Sequence, residues 1–221
     1  MPRPSPADNY RRIRDSLPSE VTLVVAAKGR APAEVAQVIE AGATAIGENY
    51  VQEAEAHLAA VDARAGRAEW HLIGHLQRNK VNRALPLFDV IQSVDSLRLA
   101  RAVDRRADDP VRALVEVNVG GEQSKFGTPP EQVRTLLCEL AGLENLRVEG
   151  LMTMEPYSAD PEEARPYFLR MRRLFEEMGD LDAPNVQMRT LSMGMTNSYR
   201  VAVEEGANMV RIGTAVFGPR G

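Results

Sequence analysis

The sequence predicts a single (β/α)8 TIM barrel with an extra N-terminal helix, on three observations. Eight short apolar or β-branched runs alternate with segments of helical period along 221 residues. No shift of composition and no long linker divides them, so one barrel domain is expected over 1–221. The first run is followed by Lys28-Gly29-Arg30, which is no dinucleotide-binding glycine loop, and this counts against the runner-up, an open doubly wound sheet.

Each element has its own signal. Residues 8–17 read as a short surface helix stopped by Pro18 and packed against an end of the fold. Residues 21–28, Val-Thr-Leu-Val-Val-Ala-Ala-Lys, read as a buried strand delivering one amine to its C-terminal end. Pro32 is pre-set for the first turn of a helix over 31–41, with Gly42 as its C-cap. Residues 43–47 form the second strand, ending at Glu48 and Asn49, and 50–61 the next helix. A third strand covers 69–73, followed by a helix to about Leu85, which Pro86 breaks. The fourth covers 90–93, and Asp95 or Ser96 can cap the helix that reaches Ala107. The fifth, 111–119, leads through a longer loop and Pro129-Pro130 into a helix ending at Leu140. The sixth is 148–152, before a helix over 161–178. The seventh is 187–191, with loop Ser192-Met193-Gly194-Met195 and helix 197–205. The eighth, 209–212, runs into Gly213-Thr214 and a short tail.

Bulk properties narrow the function classes. With 44% hydrophobic and 26% charged residues the chain reads as an ordinary soluble globular protein. A net charge of -4 gives no electrostatic case for nucleic acid or an anionic membrane as partner. No segment has the length of a signal peptide core or a membrane span, so a cytoplasmic location is expected. The lone cysteine, Cys138, excludes an intramolecular disulfide and reads as a small buried hydrophobe on a helix. His57, His71 and His75 are the only histidines, and no third ligand joins the last two, so no metal site is expected. His71 reads instead as a satisfied polar group near the barrel mouth.

The census of cations singles out Lys28. The chain holds 27 basic residues, of which only Lys28, Lys80 and Lys125 are lysines. Arginine stays protonated, whereas a lysine desolvated in a pocket can lose its proton and attack a carbonyl. The alternative is a lysine that snorkels from a strand end. In a barrel the site lies at the C-terminal ends of the strands, and phosphate favours the loops after strands seven and eight. Ser192 to Met195 and Gly213-Thr214 both offer close backbone N–H groups and a hydroxyl there. Strand eight closes against strand one, which sets an amine beside a phosphate cradle. That combination suits a phosphorylated aldehyde, pyridoxal 5'-phosphate being the obvious candidate. Arg211, alternating with Val210 and Ile212, would point inward near the ring nitrogen or pair with an inward acid such as Glu116. Lys80 reads as a surface helix residue, and Lys125, on a long loop at the same end, could assist transfer of the cofactor.

Several segments in this order resemble the pyridoxal phosphate homeostasis proteins, the YggS/PROSC group. They are Ala27-Lys28, residues 47–53 (Gly-Glu-Asn-Tyr-Val-Gln-Glu), 70–77 (Trp-His-Leu-Ile-Gly-His-Leu-Gln), 124–127 (Ser-Lys-Phe-Gly), 150–153 (Gly-Leu-Met-Thr), 191–195 and 210–214. The resemblance implies a barrel like the cofactor domain of alanine racemase, with Lys28 holding pyridoxal phosphate as an internal aldimine. It also implies that Ser192, Met193, Gly213 and Thr214 hold the phosphate, Arg211 the pyridine nitrogen, and that Asn49 lines the ring site. The chain departs from the group's common Thr-Lys after the lysine, having Gly29-Arg30.

Three functions follow as expectations. The first, which the resemblance implies, is a non-enzymatic protein of vitamin B6 and amino-acid homeostasis that buffers the cofactor and delivers it to recipient apo-enzymes, as a monomer or weak dimer. The second is a pyridoxal-phosphate-dependent amino-acid racemase. It is disfavoured because racemisation needs acid–base groups on both faces of the cofactor, and seven residues after Thr214 leave no room for a second domain. The third is a barrel for another phosphorylated metabolite.

Overall fold

A computed structural model of the chain describes residues 4–61, 68–122 and 125–219. Ser124, which opens the 124–127 segment, and the outermost ends of the expected 1–221 domain lie outside them. Eight parallel strands close into one barrel in sequence order, β1 beside β8. They are β1 (Thr22–Ala26), β2 (Ala45–Glu48), β3 (Glu69–Leu72), β4 (Val90–Val94), β5 (Val111–Val117), β6 (Leu146–Thr153), β7 (Val186–Ser192) and β8 (Met209–Ile212). The helices are α1 (Pro6–Asp15), α2 (Pro32–Glu40), α3 (Val51–Ala60), α4 (Val81–Ala84), α5 (Leu97–Asp104), α6 (Val133–Leu140), α7 (Arg165–Met178), α8 (Tyr199–Glu204) and α9 (Thr214–Phe217). Three expected helix starts, before α4, α6 and α7, are single 3-10 turns that continue into the α-helix. Where a short tail is expected after β8, the chain folds into α9. No helix among the described residues is long and apolar enough to cross a membrane.

The strands alternate between two apolar layers. Val24, Ala45, Ile73, Leu114, Met152 and Met209 fill the barrel interior, with Ala26 and Met154 above them. Residues of opposite parity, such as Leu23, Val25, Ile46 and Leu72, pack outward under the helices. This period of two decides which side chains reach the mouth. Val24 pairs with Arg211 and Val25 with Ile212 across the β1–β8 seam, so the ends of these two strands adjoin.

Two expectations need correcting. The N-terminal helix does not cover an end of the barrel. A capping box between Ser5 and Asp8 starts α1, which packs on α2 and α9. Asn9 Nδ2 donates to the Val216 carbonyl and the Tyr10 hydroxyl to that of Gly42, each at 2.9 Å, which fastens α1 along the flank. Cys138 is on α6 as expected but exposed. The helix buries Val133, Leu136, Leu137 and Leu140, and one residue beyond Leu137 turns about 100° toward solvent.

Candidate functional site

A cavity of about 700 Å³ opens at the C-terminal end of the barrel. Lys28, Asn49, Arg211, Gly213 and Thr214 all line it, together with Ala26 and Ile73 of the interior layer. β1 itself stops at Ala26; Ala27 N–H still donates to the Gly47 carbonyl at 2.9 Å, and Lys28 opens the turn. Its ammonium lies 5.1 Å from the centre of the Tyr50 ring, a cation–π contact at the mouth.

The turn carrying Lys28 is held from α3. Gly29 has φ of +66°, a conformation that glycine adopts without penalty. Its N–H donates to Glu53 Oε2 at 2.9 Å, and His57 Nε2 lies 2.9 Å from the Arg30 carbonyl oxygen. The Arg30 guanidinium donates to the Gly218 carbonyl and stacks over the Phe217 ring at 5.2 Å. The Gly29-Arg30 pair thus has local work here: one residue permits the turn and the other ties it to the segment that follows β8.

Arg211 enters the cavity floor from β8 and is 4% exposed. Its Nη1 donates to Ser192 Oγ at 2.7 Å and its Nη2 to the Thr153 carbonyl at 2.6 Å. Ser192 passes its own hydrogen to Gln92 Oε1 at 2.8 Å, and Gln92 Nε2 lies 2.9 Å from His71 Nδ1. Burial pulls the Arg211 pKa down, while Glu155 and Glu116 oppose that shift. Glu116 is pushed up to about 7, by burial first and then by the Asp95 charge, against the pull of Arg211.

Ser192 and Met193 take other places. Ser192 is fully buried, its hydroxyl committed between Arg211 and Gln92, and it does not reach the cavity wall. Met193, of opposite parity, is buried in the layer under the helices. His71 does not open onto the mouth; it faces inward in register with Gly47 and Val90 and is fully buried, and Ile73, the next inward residue, lines the cavity in its place. Its Nδ1 is satisfied by Gln92, while Nε2 stands 3.7 Å from Glu69 Oε2.

The polar loop of the cavity lies further along the chain than the residues first singled out. Thr196, Asn197 and Ser198 line it, with Gly213 and Thr214. Ser198 Oγ accepts Met195 N–H at 3.0 Å, and Thr196 Oγ1 accepts Ala215 N–H at 3.2 Å, which cross-links the loops after β7 and β8. The run of hydroxyls and amide in 196–198 was visible in the sequence. Glu155, buried on the same cavity wall, had no sequence signal, since its position depends on how the loop after β6 folds over.

The other two lysines lie beside this cavity. Lys80 lines an adjoining hollow of about 360 Å³ that shares Asn49 and Met154 with it. Lys125 Nζ contacts Glu122 Oε2 at 2.5 Å and donates to the Glu155 carbonyl at 3.3 Å. Chemically, the main cavity offers an amine, a buried guanidinium and a hydroxyl-rich pair of loops on neighbouring strand ends.

Known proteins match the chain in sequence and in fold. A family model described as alanine racemase, N-terminal domain, matches residues 5–221. A protein of Aquifex aeolicus named pyridoxal phosphate homeostasis protein is 41% identical over 201 residues, covering 90% of this chain and 86% of that protein. PipY of Synechococcus elongatus, whose structure contains bound pyridoxal phosphate, superposes with a TM-score of 0.88 at 33% identity, covering 97% of this chain and 100% of that one. Alanine racemase from Corynebacterium glutamicum shares the fold, with a TM-score of 0.79 at 17% identity over 61% of its chain. Barrel and matches agree: the chain belongs to the alanine racemase N-terminal domain family, in the group of the pyridoxal phosphate homeostasis proteins.

Proposed function

We propose that this chain binds pyridoxal 5'-phosphate covalently through Lys28 and serves cytoplasmic vitamin B6 and amino-acid homeostasis as a carrier that buffers the cofactor and returns it to recipient apo-enzymes. The observation that carries this reading is the position of Lys28. Among the described residues it is the one lysine lining a cavity that also holds Arg211 and the hydroxyl loops after β7 and β8. Relatives named for pyridoxal phosphate homeostasis and the cofactor-containing PipY structure support it.

The residues present fit such a ligand. Gly213 carries no side chain where a Cβ would come within 2.9 Å of the Ala26 carbonyl oxygen, so the loop after β8 can lie directly against the end of β1. Bound there, pyridoxal phosphate supplies an electrophilic aldehyde and an anionic phosphate. Lys28 contributes the nucleophilic amine, and Tyr50 covers it at the mouth. Thr196, Thr214 and the backbone of Gly213 offer donors to the phosphate, while Asn197 spends its amide hydrogens on the Ser158 and Ala159 carbonyls and holds the loop in place. Arg211, fixed by Ser192 and Thr153, presents a guanidinium that donates but does not give up its proton. Opposite a pyridine nitrogen it favours the unprotonated form, which weakens electron withdrawal from a bound amino acid. Asn49 lines the same wall beside Lys28.

The test is chemical. Protein loaded with pyridoxal phosphate is reduced with borohydride, digested and analysed by mass spectrometry. The label is expected on Lys28 and is expected to vanish in Lys28→Ala, whereas label on Lys80 or Lys125 refutes the assignment. Loaded protein is also incubated with amino acids of both hands in deuterated water. A carrier gives no sustained α-deuterium incorporation, while continuing turnover establishes an enzyme instead.

A further inference from the structure

Glu155 puts an acid into a site otherwise furnished for an anion. It is 4% exposed and lines the cavity just beyond β6. Its Oε1 accepts the hydroxyl hydrogen of Ser198, the residue whose Oγ already accepts the Met195 N–H. The other oxygen, Oε2, is buried with no hydrogen-bond partner among the described residues. An unpaired buried oxygen of this kind costs about 1–3 kcal/mol, so its retention calls for a role.

Two consequences follow for an anion entering beside the β7 and β8 loops. Ser198 has one hydrogen, and Glu155 takes it, so that hydroxyl has none left to give. The free Oε2 also brings an electron-rich oxygen to the same wall. Arg211 does not cancel it by contact, because its Nη1 and Nη2 donate to Ser192 and Thr153. Glu155 therefore holds the Ser198 donor and sets a carboxylate on the wall where a second anion would lie.

We propose that Glu155 competes with the cofactor's phosphate and sets its affinity low enough for the cofactor to be handed on. This rests on the reading that pyridoxal phosphate occupies the cavity. A glutamine in its place keeps an oxygen for Ser198 and turns the second atom into a donor. The substitution removes the negative charge without emptying the space, and Ser198 still gives its hydrogen to the side chain.

The test compares two aldehydes on wild type, Glu155→Gln and Glu155→Ala, each checked for folding by thermal melting. Pyridoxal phosphate and pyridoxal carry the same aldehyde, but only the first has a phosphate. The Kd of Glu155→Gln for pyridoxal phosphate is expected to fall about tenfold, with slower release to a trapping apo-enzyme, and its Kd for pyridoxal to stay unchanged. Glu155→Ala, which removes the acid and also frees the Ser198 hydrogen, is expected to move in the same direction. Unchanged or weaker binding of pyridoxal phosphate by the folded variants overturns the proposal, as does equal tightening toward both aldehydes. If wild type forms no reducible adduct at Lys28, the cofactor reading itself falls, and this proposal with it.

Discussion

His57 Nδ1 lies 2.5 Å from Glu48 Oε1, and the pair is sealed beneath the turn that presents Lys28. His57 Nε2 faces the Arg30 carbonyl, which can only accept, so that nitrogen carries a hydrogen. One further proton then lies between Nδ1 and the carboxyl. Burial raises the Glu48 pKa, and His57 is raised chiefly by its hydrogen bond to Glu48. The acid at the end of β2 and the imidazole of α3 thus hold a proton jointly while they brace the Lys28 turn.

Stability should fall with rising pH because of this pair. The folded protein retains a proton that unfolded histidine and glutamate have released above about pH 6.5, so the contribution is intact below that pH and is lost as pH climbs through the raised His57 value. His57→Gln leaves Glu48 buried without its partner and is expected to cost about 3 kcal/mol at pH 6. Urea midpoints between pH 6 and 9 should decline for wild type and run flatter for the variant. Parallel slopes for the two proteins would show that the pair is not the source.

Glu116 predicts the opposite response to substitution. Its carboxyl is raised to about 7 by burial, so the folded state keeps it protonated where an unfolded glutamate, near 4.5, has ionised. The resulting contribution is present at acid pH and lost as pH rises from about 4.5 to 7. Glu116→Gln imitates the protonated form and should stabilise the barrel by roughly 3 kcal/mol at pH 8, with little effect at pH 4.5. Denaturant titration at both pH values checks this, and a variant less stable at pH 8 would sink it.

The legibility of this chain follows the reach of local rules. All eight strands could be read because an apolar or β-branched run is a local signal, and β8 ends where its run ends. The two residues placed away from the cavity, Ser192 and Met193, show what parity adds. Ser192 faces inward, but below the mouth, where Arg211 uses its hydroxyl; Met193 faces the helices. Cys138 differs by the same kind of single-residue rotation, on a helix rather than a strand. Glu155 and Ser198 lie 43 residues apart in the chain and meet only because the loops after β6 and β7 fold over one another. No spacing rule reports such a contact.

Two glycines of the cavity loops should separate stability from binding. Gly194 has φ of +93°, and a Cβ there would stand 2.5 Å from that of Ala202 and 3.0 Å from Tyr199 Cα, so alanine meets both backbone strain and α8. Gly194→Ala is expected to cost about 2 kcal/mol and to displace the loop that carries Thr196 and Ser198. Gly213 has an ordinary φ of -114°, so only the close approach to the Ala26 carbonyl resists a side chain. Gly213→Ala should therefore cost less in stability, about 1 kcal/mol, while prising the β8 loop from the end of β1 and weakening pyridoxal phosphate binding severalfold. Urea denaturation ranks the two for stability, and cofactor titration measures the loss at Gly213. If Gly213→Ala proves the less stable variant, or binds as wild type does, then the β1–β8 contact does not shape the site.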